Sequence, residues 1–390
     1  MSQRVEALVE PGLLIWARKT SHLTIPEAAR KVGVNEERLR SWEVGETRPS
    51  IKQLRKLGTV YKKPIAVFYL PEPPEDFAPL NDFRRFADTK ASELSPELQL
   101  EIRHAYNRRE IMIELYQDLD YEMPESPSEV NLSDEPENLA LAIRNRLGMT
   151  RDRQLKFSED REALNWWQSA IERNGVLVFQ TINVKLSEMR GFSIGEVPLP
   201  VVVVNNKDSQ RGRIFTMLHE FVHILLRNYG LCDLYEESSV IEKQRVEVFC
   251  NRVAGAIMVP EEYLMLEEPV LEKTMDTEWS DKDIGKLADK YRASREVIVR
   301  RLLICDRISA EFYRIKREQY KREYEEFVRP RKEWFPLPHH TAIISAGSPF
   351  ICLVFDSYHS RNITASDLSD FLDIKWKHIG RIEQEVLGIR

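Results

Sequence analysis

The residues best suited to chemistry lie between positions 216 and 226, where the chain reads TMLHEFVHILL. Within this segment His219, Glu220 and His223 form an H-E-x-x-H pattern. On an α-helix the two histidines lie one turn apart on one face, so both imidazoles can bind the same metal ion. Glu220 can then act as the general base of a hydrolytic reaction at that metal. The alternative is an ordinary amphipathic helix whose two histidines satisfy hydrogen bonds.

A third metal ligand is expected from a second helical segment. A catalytic zinc site uses three protein ligands, so two histidines leave it one ligand short. Positions 244–260 read QRVEVFCNRVAGAIMVP and contain Glu247, 24 residues beyond His223. Spacing alone does not select Glu247, because the same stretch of chain holds other carboxylates: Glu236, Glu237 and Glu242.

The surroundings of Glu247 resemble a known motif. E-x-x-C-N-x-x-A followed by I-M-V-P is similar to the second motif of the ImmA/IrrE family of bacterial metallopeptidases. The resemblance implies that His219, His223 and Glu247 bind one zinc ion per chain and that Glu220 is the catalytic base. Two histidines and one carboxylate also suit manganese.

Two neighbours of this carboxylate bear on the resemblance. Cys250 stands where the family usually has Ala, a small apolar exchange that we expect the site to tolerate. Asn251 is expected either to orient a metal ligand or to satisfy backbone polar groups, and the sequence leaves both roles open.

The composition is that of a soluble globular protein with two or three domains, since the 390 residues are 42% hydrophobic and 31% charged. No apolar run reaches the length of a membrane span, and the first residues do not form a signal peptide, so no membrane partner is expected. The four cysteines are scattered, which fits neither a zinc quartet nor a disulfide framework. These features predict a reducing, cytoplasmic location.

The N-terminal region is basic and carries a second motif. Residues 1–70 contain 13 Lys and Arg against 7 Asp and Glu, whereas the whole chain has a net charge of −6. Residues 28–50 read A-A-x-x-x-G-V-x-x-x-x-L-x-x-W-E-x-G-x-x-x-P-S, in which a glycine separates two short helical patterns. This pattern resembles the Cro/repressor-type helix-turn-helix domain, which binds DNA. The alternative is a helix-turn-helix that docks a protein or forms a homodimer.

The resemblance implies a recognition helix at about residues 35–43. Its outward positions are candidates for contacts to base edges: Asn35, Glu36, Arg38 and Arg40. Arg48 and Lys52 are candidates for phosphate contacts.

The remainder of the chain divides by pattern. A Pro-rich linker is expected at residues 71–94, and its L-P-E-P-P and D-F-R segments are common in proteins that join this helix-turn-helix to the ImmA/IrrE peptidase. Residues 95–328 are expected to form a zincin-like metallopeptidase domain. Residues 329–390 are expected to form a second linker and a helical C-terminal element. Adjacent residues do not share a helix face, so His339 and His340 are predicted to lie in a plain loop.

A small sheet is expected ahead of the metal helix, inside a metal core at about residues 175–262. Three runs there have β-type patterns: 175–179, 189–194 and 200–206. The run Gly191–Ile194 is the candidate for an exposed edge strand that binds an extended peptide beside the metal. A purely structural sheet is equally compatible with the sequence.

These features predict a mostly α, α+β protein: an all-α helix-turn-helix domain, a zincin-like domain with a small sheet, and a helical C-terminal element. The predicted function is a zinc-dependent endopeptidase that cleaves a regulatory protein and regulates transcription through its DNA-binding domain. By analogy with the resembled family, the substrate is a repressor-like protein. The alternative is a non-catalytic regulator or antitoxin that represses its own operon and restrains a partner toxin.

Overall fold

The computed structural model describes residues 7–21, 23–61, 63, 65–70, 72, 94–226, 240–273, 279–327 and 337–388. The linker expected at 71–94 lies outside them apart from Glu72 and Leu94, as do Cys232, Glu236 and Glu237. The described chain is mostly helical with a three-stranded sheet, which confirms the predicted fold class. It forms two compact units that divide between residues 104 and 105.

The first unit contains short helices in the expected order. Its elements are α1 (Pro11–Thr20), α2 (Ile25–Val32), α3 (Glu36–Glu43), α4 (Ile51–Tyr61) and a 3₁₀ helix (Ile65–Tyr69). Thr24 and Glu27 form a capping box at the start of α2, and Asn35 caps α3. Gly33 ends α2 at a φ of +74°, which glycine adopts at little cost. The tight turn between α2 and α3 is that of a helix-turn-helix.

An apolar core and one ion pair hold these helices together. Leu14, Trp42 and Leu54 are almost fully buried. At the border of this core, the Arg18 guanidinium donates hydrogen bonds of 2.7 and 2.9 Å to the two carboxylate oxygens of Glu43. This bidentate pair joins α1 to α3 and therefore fixes the orientation of the expected recognition helix.

The second unit surrounds the sheet with helices. The division between the units falls within α5 (Pro96–Asp118). The following elements are α6 (Pro136–Leu147), α7 (Arg151–Leu155), α8 (Asp160–Glu172), β1 (Leu177–Thr181), β2 (Gly191–Ile194), β3 (Val201–Asn205), α9 (Gln210–Leu225) and α10 (Val240–Met258). After them come α11 (Glu261–Leu264), α12 (Glu268–Leu271), α13 (Asp281–Tyr291), α14 (Arg295–Ile304) and α15 (Ala310–Phe327). The last elements are α16 (Pro338–Ala346), α17 (Ser348–His359), α18 (Ala365–Phe371), a 3₁₀ turn (Trp376–His378) and α19 (Ile379–Leu387).

All three β-type runs form strands, in the order β1-β3-β2. β1 pairs with β3 in parallel, and β2 pairs with β3 antiparallel. The candidate strand β2 therefore lies at an edge of the sheet, as predicted. All four of its residues are buried, however, so the expectation of an exposed strand is wrong. The reason is close packing on α9, since a Cβ added to Gly191 would lie 2.4 Å from Thr216 Cγ2.

Helix α9 lies in the core of the second unit. Every residue from Ile214 to Leu225 is buried, and the helix packs against β2, β3, α8 and α10. A helix that is buried all round is normally apolar. α9 nevertheless buries four polar side chains: Thr216, His219, Glu220 and His223. Buried polar groups are costly without partners, so these side chains must be satisfied inside the protein or by a bound ligand.

The C-terminal helices pack on the sheet. Gly347, between α16 and α17, lies so close to β1 that an added Cβ would be 3.0 Å from the carbonyl oxygen of Val178. Phe350 of α17 meets Phe179 of β1 edge to face, with ring centroids 6.4 Å apart. Among the described helices no single one is long and apolar enough to cross a membrane; α16 and α17 reach that length and composition only as a pair bent by 103°.

The prediction of a plain loop at His339 and His340 is wrong. Both residues lie in the first turn of α16, which begins at Pro338. Proline is favoured at this position because its fixed φ matches the helix and its missing N–H would have no helical partner there.

Candidate functional site

Helices α9 and α10 bring three side chains together. His219 and His223 project from α9, and Glu247 projects from α10. The Nε2 atoms of the two histidines are 3.0 Å apart. Glu247 Oε2 lies 3.5 Å from His219 Nε2, and Glu247 Oε1 lies 3.2 Å from His223 Nε2. Donor atoms from two separate helices thus converge on one point.

This spacing fits a tetrahedral metal ion. Zinc with bonds of about 2.0–2.2 Å keeps its ligand atoms about 3.3–3.6 Å apart. The separations in the cluster run from 3.0 to 3.5 Å. The two histidine side chains are closed off from solvent, whereas that of Glu247 is 37% exposed. The cluster therefore opens on its Glu247 side, which leaves room for a further ligand.

The charge of Glu247 also suits metal binding. Burial alone would raise the pKa of Glu247, but hydrogen bonds and charge interactions with His219 and His223 outweigh burial and lower it below its ordinary value. The group is therefore a carboxylate at neutral pH, which is the form that binds metal ions.

Glu220 follows His219 on α9 and makes a hydrogen bond to the sheet. It is 1% exposed, and its Oε2 accepts a hydrogen bond of 2.9 Å from Ser193 Oγ on β2. Gly191 brings β2 this close, because an added Cβ there would lie 3.6 Å from Glu220 Cγ. The sequence predicts β2 but not this hydrogen bond. The sequence signal for this contact is Gly191 followed two positions later by Ser193, since a small residue and a hydroxyl on one strand face allow close packing on a helix.

The other residues singled out from the sequence have structural contacts. Asn251 donates a hydrogen bond of 2.7 Å to the backbone carbonyl of Glu247, which corresponds to the backbone-satisfying role. Cys250 is fully buried in the apolar core. A further polar residue near the start of α9, Arg213, donates a hydrogen bond of 2.9 Å to Gln180 on β1, and burial lowers its pKa.

The six candidate DNA contacts are all exposed in the first unit. Four of them lie on or next to α3 and two lie on either side of the start of α4: Asn35, Glu36, Arg38, Arg40, Arg48 and Lys52. Arg38 lies over the Trp42 ring, with its guanidinium carbon 5.9 Å from the centroid. All six candidates are therefore accessible to a DNA partner, and four of them lie at the helix expected to enter a DNA groove.

Two of these candidates also serve the helix itself. The Asn35 side chain accepts a hydrogen bond of 2.9 Å from the backbone N–H of Arg38, which caps α3. Glu36 lies in the first turn, where a negative charge favours the helix, and its carboxylate is 3.9 Å from Arg40. The cap uses the amide oxygen of Asn35, so its amide nitrogen is the donor offered to a base.

Comparison with protein families covers both units. Residues 171–303 match the peptidase M78 model, described as the IrrE N-terminal-like domain, and residues 14–68 match a helix-turn-helix model. The predicted resemblance is confirmed in both parts of the chain. No curated protein shows a significant match to the sequence.

The IrrE N-terminal-like match coincides with the structural core described above. It begins near the end of α8 and ends in α14, so it includes the whole sheet, α9 and α10. The helix-turn-helix match includes α2 and α3. The chain thus joins a helix-turn-helix domain of the DNA-binding type to a metallopeptidase-like domain.

Proposed function

We propose that this protein is a metal-dependent endopeptidase that cleaves a regulatory protein, with a helix-turn-helix domain that binds DNA. The observation that carries the peptidase is the convergence of two imidazoles and one carboxylate next to a buried second carboxylate. The metal ligands are His219, His223 and Glu247, whose donor atoms lie 3.0–3.5 Å apart. Zinc fits this donor set, and manganese is the alternative.

The chemistry follows from the neighbours of the cluster. A zinc ion with three protein ligands supplies a Lewis acid that polarises a scissile carbonyl and acidifies water. Glu220 is the general base and later returns its proton to the leaving amine. Ser193 positions Glu220, because its hydroxyl donates to Oε2 at 2.9 Å. This hydrogen bond restrains the carboxylate that is proposed to accept the proton.

The partners follow from the two domains. Members of the resembled family act on transcriptional repressors, so the proposed substrate is a repressor-like protein. The first unit binds DNA, with base edges contacted from α3 and phosphates contacted by Arg48 and Lys52. A basic residue excess of 13 over 7 acidic residues in positions 1–70 supports this assignment.

The test combines metal content with cleavage of a repressor-type protein encoded beside this gene. His223→Ala is expected to hold one metal ion fewer per chain than wild type. Glu220→Gln is expected to keep its metal but to cleave at least about 100-fold more slowly, because the base is lost. Glu318→Gln, an exposed carboxylate on α15, is the matched control and should behave as wild type.

Two outcomes would decide against the peptidase. If His223→Ala holds as much metal as wild type, His219, His223 and Glu247 are not the metal ligands. The second outcome is that metal binds but no protein encoded beside this gene is cut. If Glu220→Gln also still represses its promoter or restrains a toxin, the protein is a non-catalytic regulator.

A further inference from the structure

A second cluster of metal-type donors lies in the C-terminal helices. His339 and His340 occupy the first turn of α16, and Glu385 lies near the end of α19. Glu385 Oε1 is 3.2 Å from His339 Nε2 and 3.5 Å from His340 Nε2. One donor atom of each residue lies within 4.8 Å of the other two. These residues lie beyond the IrrE N-terminal-like match, which ends at residue 303.

The two histidines converge in spite of being adjacent. Consecutive residues of a helix are about 100° apart around its axis, so they rarely share a ligand. Here the two imidazole rings meet with centroids 4.4 Å apart and an angle of 61° between their planes. The packing of α19 on α16 then brings Glu385 to the same point.

The contacts within the cluster need a proton or a cation between the donor atoms. One carboxylate oxygen faces two ring nitrogens, and the lone pair of a neutral imidazole nitrogen repels such an oxygen. Each nitrogen must therefore carry a proton or share a cation with Glu385. The His339 side chain is 4% exposed, and its Nδ1 has no hydrogen-bond partner among the described residues. What favours a metal ion is the convergence of three donor atoms, two imidazole nitrogens and one carboxylate oxygen, of the types that bind transition metals.

We propose that His339, His340 and Glu385 bind one divalent transition-metal ion at a site separate from the H-E-x-x-H cluster. Two imidazoles and a carboxylate suit zinc or nickel better than magnesium or calcium. The side chains of His340 and Glu385 are 42% and 41% exposed, so the ion can enter from solvent. Because Nδ1 of His339 lacks an acceptor that would orient the ring, the site is expected to bind and release metal readily.

A metal ion bound by His339, His340 and Glu385 would link α19 to α16. α16 in turn packs against β1 of the sheet that supports α9. Metal binding therefore stabilises the C-terminal helices on the second unit, and this stability depends on the metal concentration.

The test is a zinc titration of the full-length, metal-free protein, with cobalt absorption as a second readout. His340→Ala and Glu385→Gln are each expected to bind one ion fewer than wild type. His359→Gln is the matched control, since His359 also pairs with a glutamate of α19, at 2.9 Å from Glu383. No third donor joins that pair among the described residues, so this variant should bind as wild type.

A variant with both His219→Ala and His223→Ala separates this site from the proposed catalytic one. It should retain one zinc ion and a rise in Tm of about 5 °C at zinc a hundredfold above Kd. Equal zinc stoichiometry in wild type, His340→Ala and Glu385→Gln, with helix content intact by circular dichroism, would overturn the proposal. A Tm that responds to pH but not to zinc in the double variant would mean that protons alone bridge the cluster.

Discussion

Ser193 on strand β2 donates a hydrogen bond of 2.9 Å to Glu220 on helix α9. The bond links the edge of the sheet to the proposed general base. Both side chains are buried, with exposed fractions of 8% and 1%, so water does not readily replace the hydroxyl if it is removed. The strand therefore restrains the Glu220 carboxylate from the side of the sheet.

Removal of this hydroxyl should slow the reaction without changing metal binding. Ser193→Ala is expected to lower kcat about 10- to 100-fold, the usual effect of losing one hydrogen bond to a charged group, with KM almost unchanged. Steady-state cleavage of the repressor-like substrate gives both constants. Ser193→Thr keeps the hydroxyl and should recover part of the rate. An Ala variant with the kcat of wild type would show that Ser193 does not position the base.

Much of this site is predictable from sequence because its signals are local. The spacing of His219 and His223 predicts one helix face, and the three β-type runs are strands in the structure. Glu247 is different, since periodicity does not separate it from neighbouring carboxylates and only the motif resemblance selects it. The family model confirms that resemblance.

The features that sequence analysis missed depend on tertiary contacts. The partners Ser193 and Glu220 are 27 residues apart, and their contact requires the register of β2 on β3 together with its packing on α9. The loop prediction for His339 and His340 follows from the geometry of a helix interior, where adjacent side chains point in different directions. Pro338 was the local signal that a helix begins there.

A buried ion pair fixes the end of the helix that carries Glu247. Arg301 is 1% exposed and donates two hydrogen bonds of 2.7 Å to Glu137, and its Nε donates to the backbone carbonyl of Val259 at 2.8 Å. Glu137→Ala leaves a buried guanidinium without its carboxylate and should destabilise the second unit by about 3–5 kcal/mol. Urea denaturation followed by tryptophan fluorescence measures the change.

Two further variants control this prediction. The double change Glu137→Ala with Arg301→Met removes both charges and should recover most of the lost stability. Glu296→Ala breaks an i,i+4 pair with Arg300 on α14, whose side chains are 30% and 26% exposed, and a 3.2 Å hydrogen bond from Tyr313, and should cost about 1–2 kcal/mol. Equal losses for Glu137→Ala and Glu296→Ala would contradict a special role for the buried pair.

The stability of the second unit should depend on the protonation of Glu172. Burial raises the pKa of Glu172 to about 7, despite a hydrogen bond from Gln168. A group whose pKa is raised on folding binds its proton more tightly in the folded state. Its contribution is fully present below the unfolded pKa of about 4.5 and is lost as the pH rises through 7. Wild type should therefore lose stability between pH 5 and pH 8.

Substitution by an uncharged isostere isolates this effect. Glu172→Gln keeps an acceptor for Gln168 but cannot ionise, so it should be more stable than wild type by about 1–3 kcal/mol at pH 8 and nearly equal at pH 5. Thermal unfolding at the two pH values provides the comparison. A stability gain of the same size at both pH values would show that ionisation of Glu172 is not the cause.

The proposed phosphate contacts should determine how strongly DNA binding depends on salt concentration. Arg48 precedes α4 and Lys52 lies in its first turn, and both side chains are exposed. A variant that lacks one phosphate contact releases about one counterion fewer when it binds DNA. Arg48→Ala and Lys52→Ala should each weaken binding to specific and random DNA alike and lower the slope of log K against log salt by about 1. Lys286→Ala removes an exposed charge from α13 of the second unit and is expected to leave the slope unchanged. Fluorescence anisotropy with operator and random duplexes measures the slopes, and the same slope in all three variants as in wild type would place the phosphate contacts elsewhere.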